Sequence, residues 1–367
     1  MFFNIVADSI EQNSDLASQA VGVAHRTQNG IFDAIGVNKI LPNAIKDLND
    51  KVYDANETLV RDSGHATATW FRGIGGSSQQ PQDEEPDKLP GAYNTGVGPH
   101  PSRPHPSQPD PRDHIYQPTD KPVSHHVDLR NHCPEVYDQG HMGSCTANAV
   151  AGAFEFNVRK QGLPEFSPSR LFIWYNARAK GAPGDTQKNV GSNLKDAIRS
   201  LDLRVHGVCS EKDWPYEVAP SDEKTHKFYP GARAAMKPPK RVEDHAHKHT
   251  APKYKKFPDH SVKTFTQCLN SGFPVVFGMC TYGLLGGQPI RSTGRGLKHP
   301  TPHEMKNEHR HSLLAVGYIE AEKVLIVRNS WGAHWGENGY FYMPYSFLKY
   351  CYEAWSISLV HSPPETS

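Results

Sequence analysis

Three residue types that can perform thiol chemistry together lie far apart in this sequence, each at the end of a predicted element. Cys145 begins a segment whose small and apolar residues recur with the spacing of one helix face. His311 stands at the start of an apolar segment typical of a buried strand, and Asn329 follows a second such segment, 324–328. A thiol, an imidazole and a carboxamide fit the roles of nucleophile, base and orienting group in thiol hydrolases.

The segment that follows Cys145 is predicted to be an amphipathic helix that ends at about Lys160, with Gly162 as a C-terminal cap. A thiol at the start of a helix lies at the positive end of the backbone dipole, which favours the nucleophilic thiolate. A buried structural cysteine is the alternative for any cysteine considered alone.

Several motifs occur in the order that a known family shows, and together they favour the catalytic interpretation. The chain resembles the papain-like cysteine peptidase family in Gln139, in 143–145, in His311 with 315–318, and in 329–332 with 339–340. The resemblance implies an α+β fold of two lobes. A helical lobe would carry Cys145 and a β-rich lobe would carry His311 and Asn329, with the cleft between them.

The resemblance also implies a role for each residue in the hydrolysis of peptide bonds. Cys145 would attack the scissile carbonyl and form a thioester, and His311 would protonate the leaving amine. Asn329 would orient the imidazole, while the Gln139 amide and the Cys145 backbone N–H would hold the oxyanion. Taken singly, Gln139 could be a surface turn residue, His311 a core histidine and Asn329 a turn former.

Three further residues are assigned to the substrate-binding region by the same resemblance. Gly191 and Ser192 stand where the family has a Gly-Gly pair on the non-primed side of the cleft. Trp331 would shield the hydrogen bond between His311 and Asn329 from water. The expected partner is a protein or peptide substrate. The alternatives are transfer of the acyl group to an amine and a catalytically silent papain-like module that binds peptides or builds an assembly.

The chain departs from the usual family pattern in three places. Met142 replaces a cysteine that forms a disulfide in typical secreted members, and Thr146 replaces a tryptophan. His311 follows Cys145 by 166 residues, more than the usual spacing of roughly 130–150. The excess is predicted to lie in 220–249 and 281–310, and the whole pattern indicates a looser microbial or viral-type branch of the family.

Composition excludes some classes of partner. The 40 Lys and Arg residues nearly balance 39 Asp and Glu residues, so the net charge of +1 gives no reason to expect nucleic acid binding. No stretch approaches the roughly 20 apolar residues of a membrane span. The mean hydropathy of −0.64 and the apolar content of 37% predict that part of the 367-residue chain lies outside a core.

The sequence predicts three regions, 1–75, 76–122 and 123–367. The first contains a short heptad-like stripe and is predicted to be helical. The second holds 11 of the 30 prolines and is predicted to be an extended linker, or alternatively a docking peptide. The third would be the peptidase domain. Residues 1–75 are placed where a pro-segment would block the cleft, although a partner-binding or self-associating helix is also open.

The remaining histidines do not predict a metal or a cofactor. His245, His247 and His249 alternate in a Lys- and Pro-rich region, and no cysteine or carboxylate completes a familiar tetrahedral set. His309 is the fallback for the base, and Glu308 could adjust the local charge. We therefore expect no metal site and no cofactor.

Cysteine usage favours a reducing compartment. Five cysteines remain beside Cys145, an odd number that cannot all pair within one chain. Residues 1–8 lack the basic start and the long apolar run of a signal peptide. The expected location is cytoplasmic, while a precursor without its signal and a chain with one or two disulfides stay open.

Overall fold

The computed structural model describes residues 106–119, 122–202, 204–306 and 308–363. The predicted helical segment 1–75 and most of the predicted linker lie outside the described residues. The division of the chain into three regions therefore stays a prediction.

The described residues form helices and one antiparallel sheet, which confirms the predicted α+β class. The α-helices are α1 (Cys145–Lys160), α2 (Arg170–Arg178), α3 (Leu194–Ser200), α4 (Lys240–Ala246), α5 (Val262–Asn270) and α6 (Ile290–Thr293). Short 3-10 helices lie at Arg130–His132, Asp185–Gln187, Arg233–Ala235, Leu284–Gly286, Glu304–Lys306 and Tyr345–Tyr350. Among these described helices, none has the length and apolar character needed to cross a bilayer.

Seven strands pair in a single sheet in the order β2-β7-β3-β4-β5-β6, with β1 beside one end of β4. The strands are β1 (His126–Asp128), β2 (Thr250–Lys256), β3 (Val275–Cys280), β4 (Arg310–Ile319), β5 (Val324–Arg328), β6 (Tyr340–Pro344) and β7 (Cys351–His361). The strands predicted after His311 and over 324–328 are therefore confirmed.

The two faces of the sheet bury two different apolar clusters. Along β4, Leu314 and Val316 belong to the cluster that includes helix α1, whereas Leu313 and Ala315 belong to the opposite cluster. Successive side chains of a strand point to opposite faces. A continuous apolar run is therefore what a strand covered on both sides requires.

Helix α1 starts at Cys145 and ends at Lys160, as predicted, but it is not amphipathic. All its residues from Cys145 to Val158 are buried. The one-face spacing predicted a helix with a solvent-facing side, and this part of the prediction is wrong. Small residues allow the close packing, because a Cβ on Gly152 would lie only 3.4 Å from the Leu314 side chain. The helix thus runs through the middle of the domain and places Cys145 beside the start of β4.

The C-terminal part of the predicted linker, which we call the strap (residues 106–119), packs on the domain. Arg199 of α3 forms ion pairs with Asp110 and Asp113 at 2.8 and 2.7 Å. The Ser107 hydroxyl donates to the buried Glu353 carboxylate of β7 at 2.9 Å. The strap therefore contacts both a helix of the helical lobe and a strand of the sheet.

Candidate active site

Cys145 is the first residue of α1 and lies just below the surface, with 6% of its area exposed. Burial raises the pKa of its thiol. The hydrogen bond and the charge of His311 lower the pKa, and the lowering outweighs the effect of burial. The net pKa of Cys145 is below the usual value of a thiol. The start of the helix supplies a second stabilisation of the thiolate through the backbone dipole.

His311 is the second residue of β4, and its ring is held from the side opposite Cys145. The ring Nε2 lies 2.8 Å from the Oδ1 of Asn329, the residue that follows β5. Because an amide oxygen only accepts, Nε2 carries a hydrogen and Nδ1 is left for the thiol. The predicted nucleophile, base and orienting residue are thus brought together from α1, β4 and the end of β5.

Trp331 covers the hydrogen-bonded side chains of His311 and Asn329. The centres of the Trp331 and His311 rings are 5.1 Å apart, and Trp331 is 5% exposed. Trp335 packs edge-on against Trp331 at 5.4 Å and fixes its orientation. The position is the one that shielding of the His311–Asn329 hydrogen bond would need.

Gln139 lies in the turn before α1 and is tied to the residue after Asn329. Its side-chain Oε1 accepts from the Ser330 hydroxyl at 2.6 Å, and its backbone N–H donates to the Ser330 carbonyl at 2.9 Å. The Nε2 group donates one hydrogen to the Met142 carbonyl at 2.7 Å. An amide nitrogen has two hydrogens, so the second can serve an oxyanion.

Gly191 and Ser192 run alongside the turn that leads to Cys145. A Cβ on Gly143 would lie 3.3 Å from the Gly191 nitrogen. The Ser192 carbonyl accepts from the Thr146 hydroxyl at 2.9 Å. Both residues therefore lie beside Cys145, where the family resemblance predicts one wall of the cleft.

Thr146 stands where the family usually has a tryptophan, and it forms a hydrogen bond that joins the two lobes. Its hydroxyl lies 3.0 Å from the Ser312 hydroxyl of β4, in addition to its bond to Ser192. Ser312 also contributes hydrogen bonds that lower the pKa of Cys145. No sequence motif marks Ser312, although it directly follows the predicted base.

Tyr352 of β7 is a second residue that the sequence analysis missed. Burial, followed by the charge of Cys145, raises its pKa well above the usual value for tyrosine. Its ring lies over Gly278, where a Cβ would be only 2.5 Å from the ring carbon Cζ. A glycine within an apolar strand marks a close approach of another group, so Gly278 was the available signal.

Contacts of the other histidines that the sequence singled out are with residues other than Cys145, His311 and Asn329. The His309 ring lies beside Gly283, with a Cβ distance of 3.7 Å. His245 contacts Asp213 at 3.2 Å, and His249 contacts Ser362 at 2.8 Å. Within the described ranges, no three His, Cys, Asp or Glu side chains are grouped so that they could hold a metal ion.

Glu308 is occupied by neighbours outside the group formed by Cys145, His311 and Asn329. It pairs with Arg310 at 2.9 Å and accepts from the Cys280 thiol at 3.0 Å. All six cysteines, which lie in the described residues, are free thiols.

The arrangement can deliver a thiolate to an electrophilic carbon beside an oriented imidazole. Its lowered thiol pKa distinguishes Cys145 from Cys268, whose pKa burial raises to about 12. Two N–H groups, from Gln139 and from the Cys145 backbone, lie on the adjoining turn. These are the groups that acyl transfer through a thioester requires.

Comparison with known proteins agrees with this chemistry. The sequence model of the family described as papain family cysteine protease matches residues 123–358 of this chain. An uncharacterized peptidase C1-like protein of Acanthamoeba polyphaga mimivirus is 34% identical over 219 residues, covering 58% of this chain and 64% of that protein. Cathepsin K of Gallus gallus is 25% identical over 221 residues, covering 59% and 57%. The matches thus span less than two thirds of these curated relatives.

Solved structures give the same fold. Xylellain, a cysteine protease from Xylella fastidiosa, superposes with a TM-score of 0.61 and 35% identity, covering 72% of this chain and 96% of that one. Digestive procathepsin L 3 of Tenebrio molitor larval midgut has a TM-score of 0.53 and 22% identity, covering 67% and 74%. The second likeness concerns the fold alone.

Proposed function

This chain belongs to the papain family of cysteine proteases, and we propose on that basis that residues 123–367 hydrolyse peptide bonds. The predicted two-lobed α+β fold and the looser microbial or viral branch are confirmed by the same comparisons. The roles of the individual residues are our proposal.

The mechanism assigns one task to each group. The Cys145 thiolate attacks the scissile carbonyl carbon, and the carbonyl oxygen takes up negative charge. The Gln139 amide and the Cys145 N–H donate to that oxygen. The His311 imidazolium then protonates the leaving amine, and the thioester remains. A water molecule that loses its proton to the same imidazole hydrolyses the thioester, and Asn329 keeps the ring in place throughout.

The observation that carries this proposal is the lowered pKa of Cys145 beside an imidazole that Asn329 holds at 2.8 Å. A cysteine buried for packing alone has a raised pKa, as Cys209 and Cys351 have. The thiolate of Cys145 is therefore present at pH values where the other thiols are protonated.

Alkylation at low pH tests the proposal. Iodoacetamide at about pH 6 should modify Cys145, because only the thiolate reacts. Cys280 is the matched control, because it is more exposed than Cys145 while burial and its bond to Glu308 raise its pKa to about 11. The reaction rate of Cys145 should fall as the pH drops through its lowered pKa. Equal rates for the two thiols would refute the proposed activation.

A second measurement separates a peptidase from a silent module. Wild-type protein, after a protease site placed between residues 76 and 105 has been cut, should release amine from peptide amides. Cys145→Ala, cut in the same way, should abolish release without changing thermal unfolding. Peptides with blocked or free ends distinguish endopeptidase from exopeptidase action. Labelling of Cys145 without turnover of any peptide would leave the silent module as the better description.

We further propose that residues 1–75 block the cleft until they are removed. Their placement ahead of a proline-rich segment supports this. A specific protease site introduced between residues 76 and 105 allows the same protein to be compared before and after cutting. Alkylation and peptide turnover should rise after cutting. Unchanged rates would favour a partner-binding or self-associating role.

A further inference from the structure

Both proposed oxyanion donors belong to the turn 139–144 and its junction with α1, not to the interior of a regular element. Gly140 within this turn has a φ of 57°, which is the left-handed region. Inside the turn, the Met142 N–H donates to the Gln139 carbonyl at 3.3 Å, and the Gln139 amide donates to the Met142 carbonyl at 2.7 Å. Side chains outside the turn add further hydrogen bonds to its two ends.

The Tyr216 hydroxyl contacts both ends of the turn 139–144. It donates to the Gln139 carbonyl at 3.0 Å and lies 2.6 Å from the Ser144 hydroxyl. Burial raises the pKa of Tyr216 to about 12, so the hydroxyl keeps its single proton at neutral pH. Because that proton goes to Gln139, the Ser144 hydroxyl must donate to the Tyr216 oxygen.

Asn148, one turn into α1, also contacts Ser144 at the C-terminal end of the turn 139–144. Its Nδ2 lies 3.0 Å from both the Ser144 hydroxyl and the Ser144 carbonyl. That carbonyl belongs to the same planar peptide group as the Cys145 N–H. Asn148 is 2% exposed, so its amide is held by the core. It thereby fixes the direction of the backbone oxyanion donor.

Arg170 starts this series of bonds with a full positive charge. Its Nη1 donates to the Asn148 Oδ1 at 3.2 Å, and its guanidinium stacks 3.9 Å from the Tyr216 ring centre. Glu211 anchors the guanidinium through Nε at 2.8 Å. Each bond donates in the same direction, and bonds aligned in this way strengthen one another. We call the series the relay; its members are Arg170, Asn148, Ser144, Tyr216 and Gln139.

We propose that the relay positions the oxyanion donors, and that Tyr216 and Asn148 are positioning residues for the reaction. The proposal rests on the proposed peptidase function. The relay side chains behind the turn bond one another and the backbone. They therefore act through the Gln139 amide and the Cys145 N–H.

Loss of a relay bond should affect the transition state more than substrate binding. The donors meet a full negative charge only when the tetrahedral intermediate forms. Removing a complete oxyanion donor costs about a hundred- to a thousandfold in kcat. A donor that is loosened but present should cost less, about ten- to a hundredfold.

Tyr216→Phe tests the relay, because it keeps the ring under Arg170 and removes the hydroxyl. Wild type and variants are full-length chains that carry the protease site between residues 76 and 105, and all are assayed after cutting. Tyr137→Phe is the matched control. Its ring lies 4.6 Å from the same guanidinium, but its hydroxyl donates to Glu155 at 2.5 Å, away from the turn. We expect kcat on a peptide amide to fall about ten- to a hundredfold for Tyr216→Phe, with KM unchanged. The control should keep the wild-type kcat.

Iodoacetamide provides the readout that a general loss of structure would change. Alkylation needs the thiolate but no oxyanion donor. Its rate and pH dependence should therefore be the same in Tyr216→Phe and in the wild type. Ser144→Ala breaks the relay in the middle and should reproduce the low kcat, and it carries the test if Tyr216→Phe does not fold. The double variant should lose no more than the larger single loss, because both act through one series of bonds.

Equal losses of kcat in the two tyrosine variants would overturn the relay, as would a parallel fall in the alkylation rate. Additive losses in the double variant would overturn it as well. Failure of the proposed function is different: the wild type would then turn over no peptide even after cutting between residues 76 and 105.

Discussion

Replacement of Asn329 by alanine removes the group that orients the proposed base. The Asn329 Oδ1 accepts from His311 Nε2 at 2.8 Å and from the Ser330 N–H at 2.9 Å. His311 and Asn329 are 6% and 3% exposed, so water does not replace the lost acceptor without rearrangement. In the variant, the imidazole is free to turn away from Cys145.

The expected loss follows from one buried hydrogen bond to an imidazole that becomes charged. Such a bond contributes about 1.5–3 kcal/mol. With about 1.4 kcal/mol for each tenfold change in rate, kcat/KM should fall about ten- to 150-fold. The pKa of Cys145 should also rise towards the ordinary thiol value, because the hydrogen bond and charge of His311 lower it in the wild type.

The assay is the pH dependence of peptide turnover and of iodoacetamide alkylation, measured on wild type and Asn329→Ala. The alkylation curve of the variant should shift to higher pH. Asn157→Ala is the control, because Asn157 is fully buried and donates to the Ala153 carbonyl of α1 and to the Ile357 carbonyl of β7. It should lower stability and leave the pH curve in place. A curve for Asn329→Ala that coincides with the wild type would refute the assigned role.

Two further predictions concern groups around the site. Gly278→Ala would place a Cβ 2.5 Å from the Tyr352 ring, so it should displace the ring and lower the temperature of thermal unfolding; an unchanged unfolding temperature would contradict this. Arg199→Gln leaves the buried Asp113 of the strap without its cation, so limited proteolysis should cut within 106–119 faster than in wild type. Equal cutting rates would show that other contacts hold the strap.

The elements that carry the site could be predicted because their sequences follow local rules. The strands at 310–319 and 324–328 are continuous apolar runs, and the helix that starts at Cys145 has apolar residues at helical spacing. The burial of α1 on all sides could not be predicted in the same way. It depends on what covers Gly152 and its neighbours, and those contacts come from β4, far along the chain.

Only the site residues that belong to sequence motifs could be predicted. Cys145, His311, Asn329 and Gln139 carry recognisable neighbours, and the structure brings them together. Tyr352 carries no motif, because it approaches through the pairing of β7 with β3. Gly278 indicates only that some group approaches the strand closely, and the pairing of β7 with β3 decides that this group is Tyr352.

The turn 139–144, which carries the proposed oxyanion donors, is held by hydrogen bonds from both lobes. From the sheet side, the Ser330 hydroxyl donates to Gln139 while the Ser330 N–H donates to Asn329. From the helical side, Tyr216 binds the Gln139 carbonyl. A shift of one lobe against the other would therefore move the Gln139 amide, and it would also change the contact between Cys145 of α1 and His311 of β4 that lowers the thiol pKa. Changes in lobe packing should consequently alter both kcat and the alkylation rate, whereas loss of a relay bond should alter kcat alone.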